Sequence, residues 1–345
     1  MNSIKTELIP YKTLPSGDQS SLIKYIIKGI NDGPQVYIQS SLHGAELQGN
    51  AVIYLLLEYL KDNPINGKIE IIPQANPEGL NSKILKYTQG RYNLETGDNW
   101  NRLYFDFLED SDLVDLNDIK GSFSKILDTY YHKSNKPYYL NYLLQKNAIK
   151  ADIVLDLHTA PVGTRYLYVP EYAFEKGKDL KFPFNIIIPP GFAGALDEAI
   201  FTPWLKLSKD KNIDVPVEAY TLELGGEEII DLKEANTDLN RILHLFSKRG
   251  VITSPIKFEE KQFYSKLENF KTYYSKKPGL YNFNFKVGDF FQKNDNLCDI
   301  INFKPSLSKT EFLAPSDGIL INRYPSSNVS EHAELFQALE SPSSY

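Results

Sequence analysis

Between Gln35 and about Gly250, short apolar runs of strand length alternate with amphipathic stretches of helical period. Few folds accept that alternation. A strand, a crossover helix and a second strand side by side build a parallel unit whose helices must cover the sheet. The expected fold class is therefore α/β, a mostly parallel mixed sheet with helices on both faces. The pattern predicts strands over 36–39, 69–72, 153–157, 185–188 and 217–224, and a helix over 46–61. A second helix is expected from Asp231, which can cap its N-terminus, through about Lys248, where Gly250 ends it. Between Gly79 and Ile153 the pattern loosens into a long loop, 87–105, followed by helical segments interrupted at Pro137.

Past Gly250 helical periodicity fades, and short β-like runs are separated by turn signals at Pro278-Gly279, Gly288-Asp289, Asn294-Asp295 and Pro315-Ser316-Asp317-Gly318. Two domains are expected: a larger one over residues 1–255 and a small all-β one over 256–345, with the boundary near 254–266. At 345 residues and 42% hydrophobic composition, the chain can bury a core without a disulfide or a structural metal. A metal, if bound, serves chemistry.

The net charge of -6, with basic residues scattered along the chain, argues against nucleic acid as a partner. The single cysteine, Cys298, has no intramolecular partner for a disulfide, and the first residues lack the basic, apolar and cleavage regions of a secretory signal. A cytoplasmic protein is expected. The apolar run 51–57 ends at Glu58, far short of the roughly 20 residues a bilayer crossing needs, so no membrane partner is expected.

His43-Gly44-Ala45-Glu46 falls where the first predicted strand ends and the next helix begins. An i, i+3 pair at a helix entrance can turn both side chains toward one point. His158 directly follows the predicted strand 153–157, and ligand crevices of open α/β sheets lie beyond the carboxyl ends of the strands. Two imidazoles and one carboxylate, with a fourth position open, form the donor set of catalytic zinc. A lone strand-end histidine is more often a hydrogen-bonded structural residue, but here two of five histidines share such ends with a carboxylate at the matching offset. His132, His244 and His332 have no matched partner and read as structural.

The strand-end HGAE, Asn76-Pro77-Glu78-Gly79, Asn101-Arg102, Leu157-His158 and Thr221-Leu222-Glu223-Leu224-Gly225 occur in an order that resembles the succinylglutamate desuccinylase/aspartoacylase family, within the zinc carboxypeptidase-like superfamily. The resemblance spans roughly residues 35–250. It implies that His43, Glu46 and His158 bind one Zn2+ per chain and that Glu223 is the general base toward the metal-bound water. The residues agree on Glu223: a carboxylate interrupting an apolar strand just before Gly225-Gly226 is costly unless it faces a polar site. The resemblance further implies that Asn101 and Arg102 clamp a substrate carboxylate and that Arg91 stabilises an oxyanion, tasks suited to a guanidinium fork. The usual run is Asp-Leu-Asn-Arg, whereas this chain has Asn99-Trp100-Asn101-Arg102. Arg165 and Tyr166, shortly after His158, are further candidates for the pocket lining. The C-terminal segment resembles the barrel-sandwich fold of biotinyl and lipoyl carriers, yet no lysine occupies the tip at Ser316-Asp317-Gly318, so no prosthetic attachment is expected. Its expected role is to shape the pocket entrance or to form a homo-oligomer contact.

The function these residues imply is a zinc-dependent amidohydrolase, a deacylase that attacks the amide of a small-molecule N-acyl amino acid through zinc-bound hydroxide. A zinc carboxypeptidase acting on a short peptide uses the same ligands, base and arginine. A noncatalytic binding protein that keeps the fold is the third alternative.

Overall fold

The computed structural model describes residues 3–344. Its centre is four parallel strands in the order Asn66–Ile72, Asn31–Ser40, Ile153–Ala160 and Glu218–Gly226. All eight residues of Ile153–Ala160 are buried, as expected of a strand covered on both faces. Successive residues serve opposite faces. Val154 and Ala219 join one core with Phe123, Leu144, Ile200 and Trp204 of the helices Ile119–Ser134, Tyr139–Ala148 and Leu196–Lys211. Ile153, Leu155, Tyr220 and Leu222 join the other with Val52, Leu56, Leu239 and Phe246 of the helices Gln48–Asp62 and Leu232–Lys248. Each such aliphatic side chain contributes roughly 1.5–3 kcal/mol by leaving water.

The sheet has ten strands and is mixed. An N-terminal hairpin, Ser3–Thr13 and Gln19–Lys28, adds antiparallel to Asn66–Ile72. On the other side Arg165–Pro170 runs antiparallel to Glu218–Gly226, followed by Phe184–Ile188 and Phe263–Lys266 in parallel and Ser343–Ser344 at the edge. The hairpin, the strand Arg165–Pro170 and the helix Leu196–Lys211 lie outside the periodicity reading, the helix because Pro203 sits within it. Two boundaries also shift. The first helix begins at Gln48, so Glu46 precedes it, and the strand expected to end at Leu157 runs through His158 to Ala160. The helix Leu232–Lys248 opens where Asp231 accepts the backbone N–H groups of Lys233 and Glu234. Among the described residues, no helix is long and apolar enough to cross a membrane.

From Phe270 onward the chain forms two four-stranded sheets around Phe291, Leu297, Leu320 and Phe336. The strand Gly318–Arg323 of this region touches the loop that follows His158: Thr164 N donates to Ile321 O at 2.9 Å and Arg323 N to Val162 O at 3.0 Å. This contact brings the C-terminal strands to the carboxyl ends of the central parallel strands.

Candidate active site

His43 and Glu46 occupy a tight turn between Ser40, the last residue of its strand, and Gln48. Glu46 N donates to His43 O at 3.1 Å, so the two side chains are brought together by a turn before the helix. The neighbouring Asn76-Pro77-Glu78-Gly79 run holds that turn. Asn76 Nδ2 donates to Leu42 O at 2.9 Å, while Asn76 Oδ1 accepts the Gly79 N–H at 2.9 Å. A Cβ at Gly44 would stand 2.1 Å from the Gly79 carbonyl oxygen, so the two motifs can meet only through glycine.

The turn and the His158 strand converge. Glu46 Oε1 lies 2.7 Å from His43 Nδ1, and Glu46 Oε2 lies 2.7 Å from His158 Nδ1, with all three side chains buried. Among the described residues, His43, Glu46 and His158 form a group whose potential ligand atoms lie within 4.8 Å of one another. Each outer imidazole nitrogen has a polar neighbour. His43 Nε2 donates to Asn99 Oδ1 at 2.9 Å, and His158 Nε2 stands 2.9 Å from Asp156 Oδ2. Outer-nitrogen partners of this kind orient metal-binding imidazoles. Two inward-facing nitrogens and one carboxylate fit a divalent cation of zinc type. Burial raises the Glu46 carboxyl, but His43 and His158 outweigh it and hold Glu46 well below the usual carboxylate range. Burial lowers the His43 imidazole.

These residues line a cavity of about 560 Å³ together with Arg91, Asn101, Arg102, Glu223, Tyr166 and Asp197. Glu223 pairs in register with His158 on one side and with Tyr166 on the other. Its Oε2 is buried without a hydrogen-bond partner among the described residues, and burial together with the Glu46 carboxylate pushes its pKa up to about 8. Arg91 Nη2 donates to Glu46 Oε1 at 2.9 Å and to Glu227 Oε1 at 3.0 Å. Asn101 Nδ2 stands 3.4 Å from His158 Nε2, and Arg102 has no carboxylate partner among the described residues. The departure at Asn99 has a structural use, since the side chain at that position is the one that accepts from His43.

Of the two further candidates, Tyr166 lines the cavity, whereas Arg165 turns away and donates to Asp238 at 3.1 Å. Among the cavity or support residues that sequence reasoning missed are Asp156, Thr159, Asp197 and Asn322. Asp156 carried a usable signal, because it shares a strand face with His158 two residues away. Asn322 carried none, since its approach depends on packing between distant segments.

Residues 32–247 match the model of the succinylglutamate desuccinylase/aspartoacylase catalytic domain. A succinylglutamate desuccinylase/aspartoacylase family protein from Shewanella amazonensis SB2B is 34% identical, with a TM-score of 0.93 over 99% of this chain and 100% of that one. Its counterpart from Shewanella frigidimarina NCIMB 400 is 32% identical, with a TM-score of 0.94 over 100% of this chain and 99% of that one. The product-bound ectoine utilization protein EutE (DoeB) from Ruegeria pomeroyi shares the fold at 15% identity, with a TM-score of 0.72 over 97% of this chain and 94% of that one. Comparison with curated proteins finds no match to this sequence. The chain belongs to the succinylglutamate desuccinylase/aspartoacylase family, a family of hydrolases.

Proposed function

We propose that this protein is a zinc-dependent amidohydrolase that removes the acyl group from an N-acyl amino acid. The observation that carries the reading is the placement of Glu223, whose carboxylate oxygen Oε2 has no partner, opposite His158 of the His43, Glu46 and His158 group within one cavity. Those three side chains would hold the zinc. When bound, zinc supplies Lewis acidity toward a carbonyl oxygen and toward water.

The remaining work falls to the chain's own groups. Glu223 takes a proton from the attacking water and, as the carbon–nitrogen bond breaks, delivers it to the leaving nitrogen. Arg91, anchored by Glu46 and Glu227, brings positive charge beside the carbonyl oxygen on which charge develops. Arg102, without an acidic partner among the described residues, is the guanidinium that receives the substrate carboxylate, with Asn101 at its side.

The test is hydrolysis by the purified protein, stripped with a chelator and reloaded with zinc, across a panel of N-acyl amino acids and short peptides. Zinc-restored release of free amino acid from the N-acyl substrates is the expected result. Release only of C-terminal residues from peptides would replace the reading with a carboxypeptidase, and inactivity on the whole panel would remove it.

A further inference from the structure

The strand Gly318–Arg323 is buried over its first five residues, and Asn322 is the one polar side chain among them, 5% exposed. Its pairing with Glu334–Glu340 slips between Leu320 and Asn322. A bulge of this kind re-aims a side chain, and here it turns Asn322 toward the loop after His158. Asn322 Nδ2 donates to Tyr166 Oη at 3.2 Å and to Gln337 Oε1 at 2.6 Å. Asn322 Oδ1 has no hydrogen-bond partner among the described residues, although it is buried and would lie only 2.6 Å from a Cβ at Gly163. A merely structural asparagine, pinning the C-terminal strands to Tyr166, accounts for the NH2 group and leaves the carbonyl unexplained. An amide carbonyl buried without a donor costs roughly 1–3 kcal/mol.

Asn322 lines the catalytic cavity and also a second recess of about 410 Å³ that adjoins it. Pro161, Tyr324, Pro325 and Ala333 form apolar wall in this recess, and Pro161, Asn322, Glu334 and Gln337 are common to both spaces. Resting on the amidohydrolase reading, we infer that Asn322 is a substrate-binding residue: its Oδ1 accepts the N–H of the scissile amide, and the adjoining recess receives an apolar acyl chain. Every N-acyl amino acid with a secondary amide brings that N–H. With the amino-acid carboxylate at Arg102, the acyl group is the part left for the recess, which shares Pro161, Asn322, Glu334 and Gln337 with the cavity.

The experiment uses the zinc-loaded full chain. One substrate series keeps the amino acid constant and lengthens the acyl group from acetyl to octanoyl, and a second keeps acetyl and varies the amino acid. A third replaces the scissile N–H by oxygen, giving an ester of the corresponding hydroxy acid. The expected result is a rise in kcat/KM of about fourfold per methylene in the acyl series until the recess is full. Asn322→Ala is expected to lower kcat/KM for the amide by about ten- to a hundredfold while changing the ester less than about threefold. Asn322→Asp, which keeps an acceptor oxygen, retains the amide-to-ester ratio, and Tyr166→Phe, which leaves Oδ1 in place, retains it as well. If Asn322→Ala fails to fold, the wild-type acyl series and the Asn322→Asp ratio decide. Equal losses on amide and ester, or discrimination confined to the amino-acid part, overturn the inference alone. A zinc-loaded wild type inactive on every amide overturns the amidohydrolase reading and the inference with it.

Discussion

Asp156 Oδ2 stands 2.9 Å from His158 Nε2, two residues apart on one buried strand. The strand's period of two puts both side chains on the same face, and Gln39 Nε2 donates to the other Asp156 oxygen at 3.0 Å. The carboxylate therefore orients the ring whose Nδ1 faces Glu46. Asp156→Asn is expected to weaken zinc binding by about 10- to 100-fold, because the outer nitrogen loses the carboxylate charge beside it. Competition with a chromophoric chelator measures this, and unchanged affinity would show that Asp156 has no part in orienting His158.

His158→Ala and Glu223→Gln should separate in a way that a general packing defect would not. Removing His158 takes away one of three inward-facing donors, so zinc content is expected to fall to background. Removing the Glu223 carboxylate leaves all three donors, so zinc stays near one per chain while kcat falls by about 10²- to 10⁴-fold. Metal analysis beside steady-state kinetics checks both variants, and equal zinc loss in the two would contradict this division of labour.

The clustering of His43, Glu46 and His158 was legible in the sequence because its signals are local. His43 and Glu46 are three residues apart at the end of a predicted strand, and His158 belongs to a strand whose apolar run marks it as central. The parallel centre of the sheet was legible for the same reason. The N-terminal hairpin was not, since an edge strand such as Ser3–Thr13 buries few side chains and shows little apolar contrast. Asn322 was illegible for a different reason: its orientation comes from a bulge and from contact with Tyr166, 156 residues away. Long-range packing of that kind leaves no periodic trace.

Gly44 tests how tightly the turn carrying His43 and Glu46 is built. A Cβ there meets the Gly79 carbonyl at 2.1 Å, and the Gly44 N–H donates to Gly90 O at 3.1 Å, so the turn cannot move outward without losing a backbone bond. Gly44→Ala is expected to cost about 1–3 kcal/mol of stability through overpacking and to weaken zinc binding, because His43 and Glu46 shift with the turn. Thermal unfolding of the metal-free protein and zinc titration report the two effects separately. Wild-type values for both would mean that the segment around Gly79 yields freely.

Asp197 carries a prediction in pH. It is buried in the first turn of the helix Leu196–Lys211, and burial, reinforced by the Glu198 charge, pushes its pKa up to about 7. In the unfolded chain an aspartate titrates near 3.9. Between those values the folded protein holds a proton that the unfolded chain has released, so the contribution of Asp197 to stability falls as pH rises from about 4 to 7 and is constant above. An asparagine side chain at this position is neutral throughout, and its oxygen can still accept the Glu198 N–H that Asp197 Oδ1 accepts at 2.9 Å. The Asp197→Asn variant is therefore expected to gain on the wild type with rising pH, by up to about 4 kcal/mol between about pH 4 and 8. Urea denaturation of the two metal-free proteins at about pH 5 and pH 8 measures the gap, and a gap that stays constant would place the Asp197 carboxylate in contact with a charge-stabilising partner.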